Sequence, residues 1–203
     1  MNIILYFIIA LILSFLGSLP IGLITLTITQ KTIQNGRQSG LMIALGATIM
    51  EFVYTFIALL SLDLFTQNTS IGNYIKIFAT AIFLAMGFYF LWKKNSVEVQ
   101  PTKEYNYFDF LRGFIVGMMN LLIVPFWIFL GIWLEANGVL FENNFDISIF
   151  SLGAALGALL AFLGYILLSE FIVKRTKEIN RYTNKAVGVL FLGMGIFQLA
   201  HFF

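Results

Sequence analysis

The chain contains no cysteine. Disulfides, zinc–thiolate sites, iron–sulfur clusters and thiol catalysis are therefore excluded. Charge is scarce: Asp, Glu, Lys and Arg make up 11% of the 203 residues, against about 25% in a soluble domain. Histidine occurs once, as His201, and one imidazole builds neither a metal site nor a histidine-based hydrolase. The phosphate-cradling Gly-x-x-x-x-Gly-Lys-[Ser/Thr] is missing, as are Gly-x-Ser-x-Gly and His-Glu-x-x-His. These gaps point away from an enzyme, and no cofactor is expected. A net charge of +2, dispersed over several loops, gives no footprint for nucleic acid. Proline is rare as well, with three in the chain, so where they fall is informative.

Apolar residues fill the space left by these absences. They make up 60% of the chain, with 23 Phe alone. Such a chain has too little polar surface to be soluble, and the expected class is an all-α integral membrane protein of one domain, residues 1–203. A span needs about 20 mostly apolar residues. Six segments qualify: 3–28, 40–62, 74–92, 111–134, 148–169 and 185–203. The N-terminus lacks the basic leader of a secretory signal, so its apolar run reads as a retained span.

Basic residues sort by loop. Lys31 and Arg37 lie in the first loop, Lys93, Lys94, Lys103 and Arg112 in or beside the third, and Lys174, Arg175, Lys177, Arg181 and Lys185 in or beside the fifth. The fourth gap has none and carries Glu135, Glu142 and Asp146. By the positive-inside rule, loops one, three and five face the cytoplasm and both termini face outward. A re-entrant first segment would move the N-terminus to the other side.

The chain also repeats. Phe83-Leu84-Ala85-Met86-Gly87-Phe88-Tyr89-Phe90-Leu91 in the third span resembles Phe191-Leu192-Gly193-Met194-Gly195-Ile196-Phe197-Gln198-Leu199 in the sixth. Two prolines fall in the first and fourth spans, and glycine tracts in the second (Gly36, Gly40, Gly46) and fifth (Gly153, Gly157, Gly164). Three spans then three spans gives inverted halves, because three is odd. The expected halves are 1–94 and 108–203, joined by a cytoplasmic linker over 95–107. Chance matching of apolar segments is the other reading of the short motif.

Pro20 lies within Gly17-Ser18-Leu19-Pro20-Ile21-Gly22, and Pro125 follows Asn120-Leu121-Leu122-Ile123-Val124. Proline lacks an N–H and crowds the carbonyl four residues back, here those of Leu16 and Leu121. Bilayer interior offers no water to such a carbonyl, so a cavity or a partner must meet it. Broken helices at corresponding places in two halves are the sequence mark of a transporter's binding site. The first and fourth helices are therefore expected to break at proline.

Glu51 is the main polar anomaly, set mid-way in the second span. A charge at that depth costs about 2.5–3.5 kcal/mol on insertion scales. Glu51 reads either as a carboxyl that gains and loses a proton during transport, or as a structural group hydrogen-bonded to a neighbouring helix. Asn120 offers donors and an acceptor beside the second break, to hold a substrate or to cap the helix. Ser18, Thr25 and Thr27 add hydroxyls to the first span, which also commonly bond their own backbone. Gly17 and Gly22 permit close approach of backbone or ligand, whereas Gly153-x-x-x-Gly157 and Gly36-x-x-x-Gly40 read as helix packing. Trp92 and Trp133 look like interface anchors, and the deeper Trp127 is a candidate for lining a cavity. Glu170, four residues before Lys174, reads as a surface ion pair.

These residues resemble the lysine exporter (LysE/RhtB) superfamily of amino-acid efflux carriers over essentially the whole chain. Gly17-Ser18-Leu19-Pro20-Ile21-Gly22 matches the Gly-x-x-Pro-Gly-Pro-like motif of its first helix, though Ile21-Gly22 stands where the second proline would be. Gly36-Arg37-Gln38-Ser39-Gly40 and Gly46 match its glycine-punctuated stretch, Glu51 its acidic second helix, and Gly113-Phe114 with Asn120 the start of its fourth helix. Asn120 is followed by Leu121 rather than proline, and the usual basic residue after that pair is missing. The resemblance implies six helices, export of an amino acid or similar small solute across a bacterial inner membrane, proton coupling and a homodimer. Substrate-binding residues would be Glu51, Asn120, Gly17, Ser18, Pro20, Gly22, Pro125 and Trp127, with Glu51 also coupling protons. A non-transporting assembly or scaffold subunit is the rival of a different class. A metal-cation exporter is another, but one central Glu without an intramembrane His is a poor metal site, and no metal is expected. A lipid-modifying enzyme lacks a catalytic set within the spans.

Overall fold

A computed structural model describes residues 3–62, 108–139, 141, 143–169 and 171, with scattered positions between 80 and 92 and between 185 and 196. Pro101, Glu170, Lys174, His201 and most of the expected third and sixth spans lie outside the described residues. Among the described residues all regular structure is helical. In chain order the helices are α1 (Ile3–Gly17), α2 (Leu23–Asn35), α3 (Arg37–Leu60), α4 (Asp109–Met118), α5 (Ile123–Ala136) and α6 (Asn144–Leu167).

The chain divides into two compact units. One comprises Met1–Leu60 and Val99–Lys174, the other Ser61–Glu98 and Arg175–Phe203. All six helices lie in the first. In the second, Gly87 sits against the side chain of Leu192, so the two copies of the repeated motif touch.

Among the described residues two helices, α3 and α6, are long and apolar enough to cross a membrane. Each has 24 residues, about 36 Å at the helical rise, against a hydrocarbon core of about 30 Å. Helices α4 and α5 make a third candidate crossing, bent by 59° at the break between them. Helix α1 is apolar but shorter.

Glycine sets the packing. In α6, Gly153 and Gly157 lie on the backbone of α1 at Phe7 and Leu11, where a β-carbon would collide with the carbonyl oxygens. In α3, Gly46 lies on Phe110 and Phe114 of α4, and Gly113 of α4 lies on Ile43 of α3. Removing side chains at these points brings two backbones together, the usual way helices associate where lipid is as apolar as leucine. Helix α3 is central, packed against α2, α4, α5 and α6, while α1 packs mainly on α6.

The first loop is shorter than the charge pattern implies. Helix α2 continues to Asn35, so Lys31 is helical, and Gly36 alone separates α2 from α3. Gly36 has φ 93° and donates its N–H to the Thr32 carbonyl at 2.9 Å. That backbone region favours glycine, and it turns the chain back within one residue. Gly40 then fits over the Thr32 side chain, where a β-carbon would not.

Candidate functional site

Helix α1 ends at Gly17 and α2 begins at Leu23, with Pro20 half-buried in the non-helical stretch between them. The carbonyl of Leu16 accepts the N–H of Leu19 at 3.3 Å, and that of Ser14 accepts the N–H of Ser18 at 2.9 Å. At the start of α2, Gly22 donates its N–H to Thr25 Oγ1 at 2.9 Å. Thr27 donates its hydroxyl to the Leu23 carbonyl of its own helix at 2.7 Å.

Helix α4 ends at Met118, and α5 starts at Ile123. Pro125 is the third residue of α5 rather than the residue at the break. A helix leaves its first N–H groups unbonded in any case, so the proline costs α5 no hydrogen bond there. The Leu121 carbonyl accepts the N–H of Val124 at 3.3 Å. The carbonyls of Leu16 and Leu121, expected from the prolines to be freed, are thus both taken up by tight local turns.

Two other carbonyls at the breaks are met by tyrosines. Tyr165 of α6 donates its hydroxyl to the Leu19 carbonyl at 2.5 Å. Tyr54 of α3 donates to the Met118 carbonyl at 2.7 Å.

Glu51 joins the two interrupted elements. It lies in α3 at 7% exposure. Its Oε1 accepts the hydroxyl of Ser14 at 3.3 Å and the indole N–H of Trp127 at 3.0 Å. Ser14 lies one turn before the end of α1, and Trp127 lies in the first turns of α5. Both bonds fall on Oε1, and Oε2 takes none among the described residues. Burying a carboxyl among helices is tolerable only with such partners.

Trp127 is fully buried. Its ring meets Phe126 and Phe150 edge-on, at centroid distances of 5.2 and 5.4 Å. Phe150 meets Phe141 at 5.2 Å, and Phe141 stacks on Tyr6 at 5.7 Å. This aromatic wall fixes the indole plane and hence the direction of its N–H. Trp133, by contrast, is exposed, as is Trp92.

The other expected site residues are placed as follows. Gly17 closes α1 against the ring of Phe126, where a β-carbon would stand 3.2 Å from the nearest ring atom. Ser18 is half-buried in the first break. Gly22 has open space around its α-carbon. Asn120 is half-buried in the second break and bonds through its backbone, donating to Gly117 at 3.0 Å and accepting from Ile123 at 3.3 Å. Its side chain makes no hydrogen bond among the described residues, and it does not cap α5.

Three residues join the site that the sequence reading passed over. Ser14 is a lone hydroxyl in the run Ile12-Leu13-Ser14-Phe15, which was its only signal. Tyr54 and Tyr165 each stand eight positions after a glycine, Gly46 and Gly157. A further polar cluster joins the starts of α3 and α4. Buried Asp109 accepts the hydroxyl of Ser39 and pairs with Arg112 at 3.0 Å. Among the described residues no three His, Asp or Glu side chains gather as a metal site would require.

A family model of LysE type translocators matches residues 15–201. The chain belongs to this family. Both breaks, Glu51 and the tyrosines lie within the match; Ser14 stands one residue outside it. Comparison with curated proteins and with solved structures returns no match. LysE type translocators are transporters rather than enzymes, and the long apolar helices accord with a membrane protein.

Proposed function

We propose that this LysE type translocator exports an amino acid or similar small solute across the bacterial inner membrane, coupled to protons through Glu51. The observation that carries this reading is the Ser14–Glu51–Trp127 contact. One carboxyl accepts a donor from each of the two interrupted elements. A change in its charge or partners therefore acts on both breaks together. Solute would lie beside the breaks, contacting Glu51 through an ammonium or other donor and Asn120 through its uncommitted amide.

The architecture proposed is six spans in two inverted three-helix repeats, with helices one and four interrupted beside Pro20 and Pro125. Helix direction supports it. Contacts of α6 with α1 advance along both helices in the same sense, and so do those of α3 with α4. Spans one and five then run one way and spans two and four the other, as alternating crossings demand. The basic loops would face the cytoplasm, and a homodimer is compatible with the exposed apolar surface.

The test is efflux from proteoliposomes loaded with a mixture of amino acids under an imposed proton gradient. Wild type should release one class of solute, and Glu51→Gln should abolish gradient-driven release while eluting as the same monodisperse species. Efflux unaltered by the substitution removes Glu51 from coupling, and a wild type that releases nothing removes the exporter reading.

A further inference from the structure

Helices α3 and α6 carry the same contact device. Gly46 of α3 rests on the Phe110 carbonyl and the Phe114 N–H of α4. Eight positions on, Tyr54 bonds the Met118 carbonyl, itself eight positions after Phe110. Gly157 of α6 rests on the Leu11 carbonyl and the Phe15 N–H of α1. Eight positions on, Tyr165 bonds the Leu19 carbonyl, itself eight positions after Leu11. The register is identical in both pairs. Neither Met118 nor Leu19 gives its carbonyl to a backbone N–H among the described residues. Each carbonyl lies where its half-helix stops, so the tyrosine hydroxyl is what holds it.

We propose that Tyr54 and Tyr165 are equivalent gating residues of the transport cycle, each latching the break that belongs to the other half of the chain. The proposal rests on the exporter reading above. Swinging a half-helix off its long partner requires the tyrosine to surrender its carbonyl to water or to solute. The glycine, with backbone against backbone, is the fixed end of that movement, and the tyrosine is the end that lets go. In inverted halves equivalent latches open toward opposite faces of the membrane. With both bonds made, each half-helix end is tied to its long partner. A hydroxyl–carbonyl bond contributes a modest net amount, so its loss should shift a closed–open balance about three- to tenfold rather than unfold the protein.

The absence of cysteine makes the test clean. Ser18→Cys reports the first break and Met119→Cys the second, each labelled by a charged, membrane-impermeant methanethiosulfonate applied to right-side-out or inverted vesicles. Tyr165→Phe should raise labelling of Ser18→Cys about three- to tenfold from one face. Tyr54→Phe should raise labelling of Met119→Cys by a similar factor from the other face. A tyrosine that merely satisfies a carbonyl at a helix end would lower thermal stability without one-sided labelling. Unchanged labelling, or both breaks responding from the same face, overturns the proposal. The same reporters with both tyrosines intact give a second measurement: a solute gradient should raise labelling at one break and lower it at the other, and equal responses count against the latch. Efflux measured in parallel separates the two claims. Opposite-face labelling without any efflux would sink the exporter reading and leave the latch, whereas efflux with unchanged labelling would sink the latch alone.

Discussion

Trp127 points its indole N–H at Glu51 Oε1 across 3.0 Å, from a helix that begins only four residues earlier. The indole can donate but not accept. Oε1 is therefore an acceptor in this structure, and a proton on Glu51 must reside on Oε2. The tryptophan and the serine of α1 thus define which oxygen of the carboxyl remains for exchange. The aromatic wall of Phe126 and Phe150 keeps the indole from turning away, so the direction of the bond is set by packing rather than by the bond itself.

Trp127→Phe separates these two contributions. It retains a ring against Phe150 and deletes the donor. Hydrogen bonds to charged groups contribute about 1.5–3 kcal/mol, so gradient-driven efflux should fall roughly ten- to a hundredfold, with a loss of thermal stability no larger than that contribution. Trp127→Ala also empties a fully buried volume and should cost about 3–5 kcal/mol in stability. Initial efflux rates and thermal unfolding in detergent distinguish the two. A phenylalanine variant with wild-type rates would mean the indole N–H has no part in coupling.

Ser14→Ala should be milder. Its bond to Glu51 is at the long end of the range, 3.3 Å, and a weak bond implies a fall in efflux of about two- to fivefold. Because both donors share one oxygen, the double variant Ser14→Ala with Trp127→Phe should depart from the product of the single effects. A double-mutant cycle on efflux rate measures the departure, and simple additivity would show that the two donors act separately.

Much of this arrangement is legible in the residues, and the illegible parts have physical causes. Glu51 stands out because a carboxyl amid apolar residues is costly at any orientation. Gly17 to Gly22 announces an interruption because it combines proline with two glycines. Proline alone misdirects at Pro125: in the first turn of a helix it fits without loss, so the break falls earlier, at residues 119–122. Lys31 reads as a loop residue by charge, but a helix end on the polar side of an apolar run carries charge equally well, and Gly36 is what stops it. Trp127 fits an interface, a lipid face or a cavity by composition. Its partner depends on the rotation of α5 after a bend that no local pattern encodes. The glycine-to-tyrosine spacing common to α3 and α6 was present in the chain, but only the contacts give it meaning.

The glycines supply a sharper stability test than the polar residues. Gly46→Ala and Gly157→Ala each place a β-carbon onto the backbone of a neighbouring helix, and backbone cannot step aside as a side chain can. Each should destabilise by about 1–3 kcal/mol. Gly164→Ala lies in the same helix as Gly157 with nothing within 4 Å of its β-carbon. It should be neutral or stabilise by about 0.5–1 kcal/mol, from helix propensity alone. Thermal unfolding of the three variants in one detergent checks the order. If Gly157→Ala matches Gly164→Ala, α1 and α6 do not approach as closely as their contacts require.

Pro125→Ala tests what maintains the second break. If the proline itself bent the chain, removing it would let α4 and α5 join, and stability would rise as bonds formed across residues 119–122. The hydrogen bonds argue otherwise. Leu121 already accepts Val124, Asn120 accepts Ile123, and Met118 is held by Tyr54. The position also lies among the helix N–H groups that have no partner within the helix itself, so alanine gains no intrahelical bond there. Pro125→Ala should therefore change stability by less than about 1 kcal/mol and leave the labelling of Met119→Cys unchanged. Pro125→Ala combined with Tyr54→Phe should expose that site more than Tyr54→Phe alone, since the fixed φ of proline is one of the local restraints left on the first turn of α5 once the tyrosine bond is gone. Labelling of Met119→Cys that falls in the single variant would show the helix straightening, and would make the proline, not the tyrosine, the element that keeps the break.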